Sequence, residues 1–98
     1  MNTTTTTAAD AARDIRYLHP LLAARPGAAV SLTRLREVLA GRNYAHSRAV
    51  VDAALLDLAD RPDVILWAEA DQKRLDAADR AAAIRLGGTD RHLLLITG

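Results

Sequence analysis

Leu32, Leu35, Val38 and Leu39 recur at steps of three and four, and Val50, Val51, Ala54, Leu55 and Leu58 repeat that spacing after a short polar turn. Each set falls on one face of a helix, because an α-helix returns to the same side about every 3.6 residues. The stretch Ser31 to Leu58, SLTRLREVLAGRNYAHSRAVVDAALLDL, is therefore predicted to form two amphipathic helices that the rest of the chain covers. Ser31 and Ser47 stand where side-chain caps are needed. Gly41, just past the last apolar position of the first of these helices, is expected to close it in the left-handed conformation.

The flanking segments give further elements. Thr7 followed three places on by Asp10 has capping-box spacing, and Ala11, Ile15, Leu18 and Leu22 follow at helical steps, so a first helix is predicted from near Ala8. Pro20 is expected to kink it or to restart it, and Arg25, Pro26 and Gly27 to end it. Ala28 to Val30 reads as a brief strand. The Asp60-Arg61-Pro62-Asp63 cluster is a turn, and Val64 to Ala68, rich in branched and aromatic side chains, is a strand whose Trp67 is expected to pack on a helix. Beyond the polar run Glu69 to Arg74, Asp76 with Asp79 repeats the cap spacing ahead of a short fourth helix. Ala78, Ala81, Ala82 and Ile84 are predicted to face inward there beside Leu75, with Gly87 as the terminating residue. His92 to Ile96, HLLLI, is a final strand, and its unbroken apolar run predicts burial on both faces.

Helix, short strand, helix, helix, strand, insert, strand is an order that resembles the winged helix-turn-helix domains. The resemblance covers residues 8 to 96 and rests on that order together with the SLTRLREVL and SRAVVDAALLDL helices. It implies an α+β, mostly helical fold, with a three-helix core backed by a small antiparallel sheet whose last two strands form the wing, and DNA as the partner. One departure is visible: a helix is inserted between the last two strands where that family has a flexible basic loop, which weakens the case for wing-to-groove contacts. Residues 1 to 7 are predicted to be a disordered Thr-rich tail that ends on the Thr7 cap, and residues 8 to 98 a single domain.

Composition narrows the picture. Half of the 98 residues are apolar, yet there is no Phe, one Trp and two Tyr, so the core is made of small side chains that each bury little area. That favours closely packed helices and leaves a monomer little reserve, from which a homodimer is expected. Thirteen Lys and Arg against twelve Asp and Glu give a formal net charge of +1, so any nucleic-acid site must be a local patch. Cysteine is absent, which excludes disulfides and thiolate metal sites. The N-terminus has neither a positive nor an apolar leader segment, and no apolar run approaches a membrane span, so the expected location is cytoplasmic with no membrane partner. His19, His46 and His92 lack the spacing of a metal motif, no nucleophile elbow is present, and Gly87 and Gly88 follow a helix where a phosphate loop precedes one. No enzyme, cofactor or metal is expected.

Two surfaces compete for function. Arg42, Asn43, Tyr44, His46, Ser47 and Arg48 crowd the turn and the start of the following helix, where side chains of this type suit phosphates and base edges. Turn and cap chemistry alone also accounts for much of this composition. Lys73 and Arg74, with Arg80 and Arg85 on the next helix, form a second basic cluster able to flank a groove, or a solvated face paired with nearby Asp residues. Against DNA, the face of the second motif helix opposite its core carries Ala49, Asp52, Ala53, Leu56 and Asp60, which is apolar and acidic. Ala49, Ala53 and Leu56 form a strip suited to a protein contact, with Trp67 as a further interface residue. The sequence thus supports a DNA-binding transcriptional regulator, or alternatively a protein-interaction or dimerisation module that does not read DNA.

Overall fold

The computed structural model describes residues 7–41 and 44–97. Arg42 and Asn43 of the polar turn, and the threonine tract up to residue 6, lie outside the described residues. Helix α1 (Ala8–Leu22) starts at Thr7, whose hydroxyl accepts from the Asp10 amide while the Asp10 carboxylate accepts from the Thr7 amide. It runs on through Pro20 instead of restarting there, and ends at Ala23, three residues before Pro26. Strand β1 (Val30–Ser31) leads into α2 (Leu32–Leu39), and α3 (Arg48–Leu58) follows, with Ser31 and Ser47 capping the two starts as their spacing predicts. Gly41 does not adopt the left-handed conformation expected of it; among the described residues of this turn the positive φ belongs to Ala45, at 51°.

Strands β2 (Val64–Trp67) and β5 (Leu93–Ile96) pair antiparallel, with Val64 opposite Ile96 and Trp67 opposite Leu93. On its other edge β5 pairs with β1, so β5 is the middle strand of a three-stranded sheet. The core lies between the inner face of this sheet and the three helices: Ile15, Leu32, Leu35, Leu39, Leu55 and Leu94 are its largest fully buried side chains. α1 crosses both α2 and α3 and supplies Ala11, Ile15 and Leu18. Successive strand residues point to opposite faces. In β2 this buries Val64 and Leu66 and turns Ile65 and Trp67 outward. Trp67, expected to pack on a helix, is 46% exposed on the face of the sheet opposite the core. Its strand register, not its size, decides where it points.

The segment between β2 and β5 holds a short 3₁₀ turn (Gln72–Arg74), helix α4 (Ala77–Ala82) and a hairpin of β3 (Ile84–Leu86) and β4 (Thr89–Arg91). Helix α4 starts on the predicted Asp76 and Asp79 capping box. It is shorter than the sequence suggested: Ile84 is in a strand, and Gly87 turns a hairpin instead of ending a helix. Gly87 and Gly88 have φ of 60° and 78°, the left-handed pair that a two-residue hairpin turn requires. Of the alanines expected inside, Ala82 is buried, whereas Ala78 and Ala81 are exposed. Arg91 ties the hairpin to the main sheet, donating from Nη1 to the Leu66 carbonyl at 2.8 Å and from Nη2 to that of Leu86 at 3.3 Å. Its guanidinium also covers part of the outer edge of β2, which limits strand addition there.

Candidate functional site

The turn between α2 and α3 folds inward more than its polarity suggests. The Leu39 carbonyl accepts from the His46 amide at 2.8 Å, and the Gly41 carbonyl accepts from the amides of Tyr44 and Ala45. His46 is thereby buried, with Nε2 2.7 Å from the Asp14 carboxylate on α1. The imidazole expected to contact a groove instead fastens the turn to the first helix. Tyr44 is half-buried, its ring tilted 33° against that of His46 with the centroids 6.4 Å apart. The Ser47 hydroxyl caps α3, accepting from the Val50 amide. Arg42 and Asn43, the other two residues of the expected contact segment, lie outside the described residues.

Arg48 is exposed along much of its length, but its guanidinium reaches across to α4. Nη1 donates to the Ala81 carbonyl at 2.6 Å and Nη2 to that of Ala83 at 3.2 Å. From α2, Arg36 Nε donates to the carbonyl between them, Ala82, at 2.7 Å. The last carbonyls of a helix have no partner inside it and carry its partial negative charge, so two guanidiniums satisfy both needs of α4 at once. Arg36 Nη2 also lies 2.7 Å from Asp52 Oδ1, and Arg48 Nε lies 3.6 Å from Oδ2. Asp52, expected as an exposed carboxylate that would repel phosphate, is half-buried between two arginines. Burial pulls the Arg36 guanidinium below its usual pKa, and Asp52 offsets this only in part. A further bond docks the insert: Thr33 Oγ1 on α2 donates to Asp79 Oδ1 at 2.6 Å. That hydroxyl, with the Asp76 amide, holds the Asp79 carboxyl below its ordinary value. Nothing in the local spacing of Arg36 or Thr33 marks them as docking residues, because their partners are 46 positions away.

Between the exposed Arg48 and Asp57, the outward face of α3 is apolar. Ala49 and Ala53 are exposed and Leu56 is 43% exposed, so the predicted strip is open along the helix. Asp57 and Arg61 face each other weakly at 3.7 Å at its far end. A second apolar area lies on the outer face of the sheet, where Ile65 and Trp67 are exposed. The basic cluster of the insert is dispersed among local partners: Arg74 Nε is 3.9 Å from Glu69, Arg80 donates to the carbonyls of Leu75 and Gln72, and Arg85 pairs with Asp90 at 3.0 Å. Lys73 is exposed and stands on the 3₁₀ turn.

The other two histidines have structural partners. His92 Nδ1 accepts from the Glu69 amide at 3.1 Å beside a cavity of about 210 Å³ that Ser31, Arg74 and Asp79 help to line. His19 Nε2 meets the Leu94 carbonyl at 3.0 Å. Among the described residues no group of three His, Asp or Glu is placed to hold a metal ion, and no helix is long and apolar enough to cross a membrane. Comparison with known proteins returns no match to a family model, a curated protein or a solved structure.

Proposed function

We propose that this chain is a non-catalytic interaction module on a winged helix-turn-helix frame, binding protein through the outward face of α3 and forming a homodimer there. The element order α1, β1, α2, α3, β2, β5, with β5 between β1 and β2, supports the frame. One observation carries the contact: the outward face of α3 is the exposed Ala49, Ala53 and Leu56, while Arg48, the nearest cation, is bonded to the carbonyls that end α4. A helix bound in a major groove needs donors aimed outward from that face.

Self-association follows from the polarity of the strip. Set against a second α3 running the opposite way, with the two-fold axis beside Asp52 and Ala53, the small Ala49 of each copy meets the large Leu56 of the other. Arg48 stays on the carbonyls that end α4, so the pairing rests on this apolar contact. Two-fold pairing of this kind is the commonest route by which small soluble chains bury such a face. Leu56→Glu should convert dimer to monomer by light scattering with the helical spectrum unchanged; a wild-type chain that stays monomeric at high concentration would refute the homodimer.

The DNA reading keeps one support, the exposed Ser47, Arg48 and Lys73 around the start of α3 and the insert. Duplex affinity measured by anisotropy at low salt separates the two. Under the protein-binding reading it is absent or weak; tight binding that falls steeply with salt would favour DNA as the partner.

A further inference from the structure

We propose that the cavity between the insert and β5 is a binding site for a small amine that carries a carbonyl oxygen, with the Glu69 carboxylate taking the ammonium and His92 Nε2 donating to the carbonyl. This inference does not rest on the contact face of α3. The cavity measures about 210 Å³, and Arg74, Leu75, Asp79 and Leu93 line it beside Glu69 and His92.

The backbone fixes the donor. His92 Nδ1 accepts from the Glu69 amide at 3.1 Å, so that nitrogen carries no proton and the N–H of the ring is on Nε2. Nε2 has no partner among the described residues, and unlike His46 Nδ1 it is not sealed from solvent. The residue as a whole is only 7% exposed, so a partner reaches that N–H through a cavity. His92 also borders an open hollow lined by Thr89 and Asp90. Two neighbours set its ring on the first cavity: Glu69, whose amide it holds, and Asp79, which feels the charge the ring carries in acid.

Glu69 supplies the acceptor. Its half-buried carboxylate receives no hydrogen bond, and its nearest cation, Arg74 Nε, stands 3.9 Å away, too far for one. Asp79 is already engaged by the Thr33 hydroxyl and the Asp76 amide, which keep it ionised. Two carboxylates against one guanidinium leave the lining with one negative charge in excess, so the preferred ligand is a cation. The imidazole N–H asks the same ligand for an oxygen, and Leu75 and Leu93 offer carbon to a short apolar side chain. Ser31 lines the cavity too, but its hydroxyl caps α2, and an imidazole whose Nε2 already holds a proton cannot take one from it. The site therefore binds and does not hydrolyse.

The test is an NMR titration of the whole chain at pH 7 with L-alaninamide, whose α-amine, with an ordinary pKa of about 8, is mostly charged there. Isopropylammonium, which lacks the carbonyl, and propionamide, which lacks the ammonium, are the comparisons, all at matched chloride. The Glu69 and Leu93 amides and the His92 ring should shift saturably with L-alaninamide, and each fragment should bind about tenfold more weakly or worse, as loss of one such hydrogen bond requires. Nitrogen shifts of the His92 ring should place its proton on Nε2. Glu69→Gln keeps the backbone amide that holds His92 and should remove most of the affinity with the spectrum of the fold intact. Asp90→Asn, in the open hollow, should bind as wild type does. No saturation with L-alaninamide, equal binding by either fragment, a ring proton on Nδ1, full binding by Glu69→Gln or lost binding in Asp90→Asn would overturn the site, and none of these outcomes bears on Leu56.

Discussion

Asp63 illustrates how far single side chains reach in this protein. Its carboxylate receives a two-pronged bond from Arg16 on α1, Nη1 to Oδ2 at 2.7 Å and Nη2 to Oδ1 at 3.1 Å, which lowers its pKa and raises that of Arg16. A carboxyl whose folded-state pKa is depressed stabilises the fold at pH above its unfolded value, and that contribution is lost as pH falls through the depressed value. Acid unfolding monitored by circular dichroism should therefore show Asp63→Asn less stable than wild type near neutrality, with the difference closing at pH below the ordinary carboxylate range. A constant difference at every pH would contradict the pairing. His46→Ala removes the buried link to Asp14 and opens a void, and should cost about 1–3 kcal/mol in denaturant unfolding. Neither pairing was legible beforehand. Apolar periodicity says which way Ile15 and Leu18 point, but not that Arg16 between them reaches a residue 47 positions away.

At the scale of elements, what the sequence made readable was local. The Thr7, Ser31, Ser47 and Asp76 caps, the two motif helices and the strands at Val64 and Leu93 all follow from spacing within a few residues. The hairpin was missed because Gly-Gly after an alanine-rich run serves equally well as a helix stop, and only the pairing of Ile84 with Arg91 separates the two. Helix α4 is six residues long, too short to persist by itself, so its stability must come from its cap and its docking. Asp76→Ala should cost about 1 kcal/mol through loss of the capping box. Arg36→Ala should accelerate hydrogen exchange in α4 and the β3–β4 hairpin while the amides of α1 and β5 keep their protection. Uniform acceleration throughout the chain would mean that Arg36 supports the whole core and not the insert in particular.

For the molecule as a whole, two consequences of composition meet on one surface. A core of Ala, Leu and Val with no Phe buries little area per residue, and a net charge of +1 gives no general attraction to nucleic acid. With its nearest arginine turned onto the insert, α3 presents an apolar, self-complementary strip to solvent, and closing that strip against a second copy is the central claim. The chain has no cysteine, so single thiols report proximity without background. Ala53→Cys, beside the proposed two-fold axis, brings two thiols within the range a disulfide spans, about 4–7 Å between Cα atoms. Tyr17→Cys, exposed on α1, is the control. Mild oxidation at low protein concentration should yield a covalent dimer of Ala53→Cys in high proportion and little of Tyr17→Cys, and adding Leu56→Glu to Ala53→Cys should suppress it. Equal cross-linking at both positions, or none at Ala53, would contradict a dimer closed through α3.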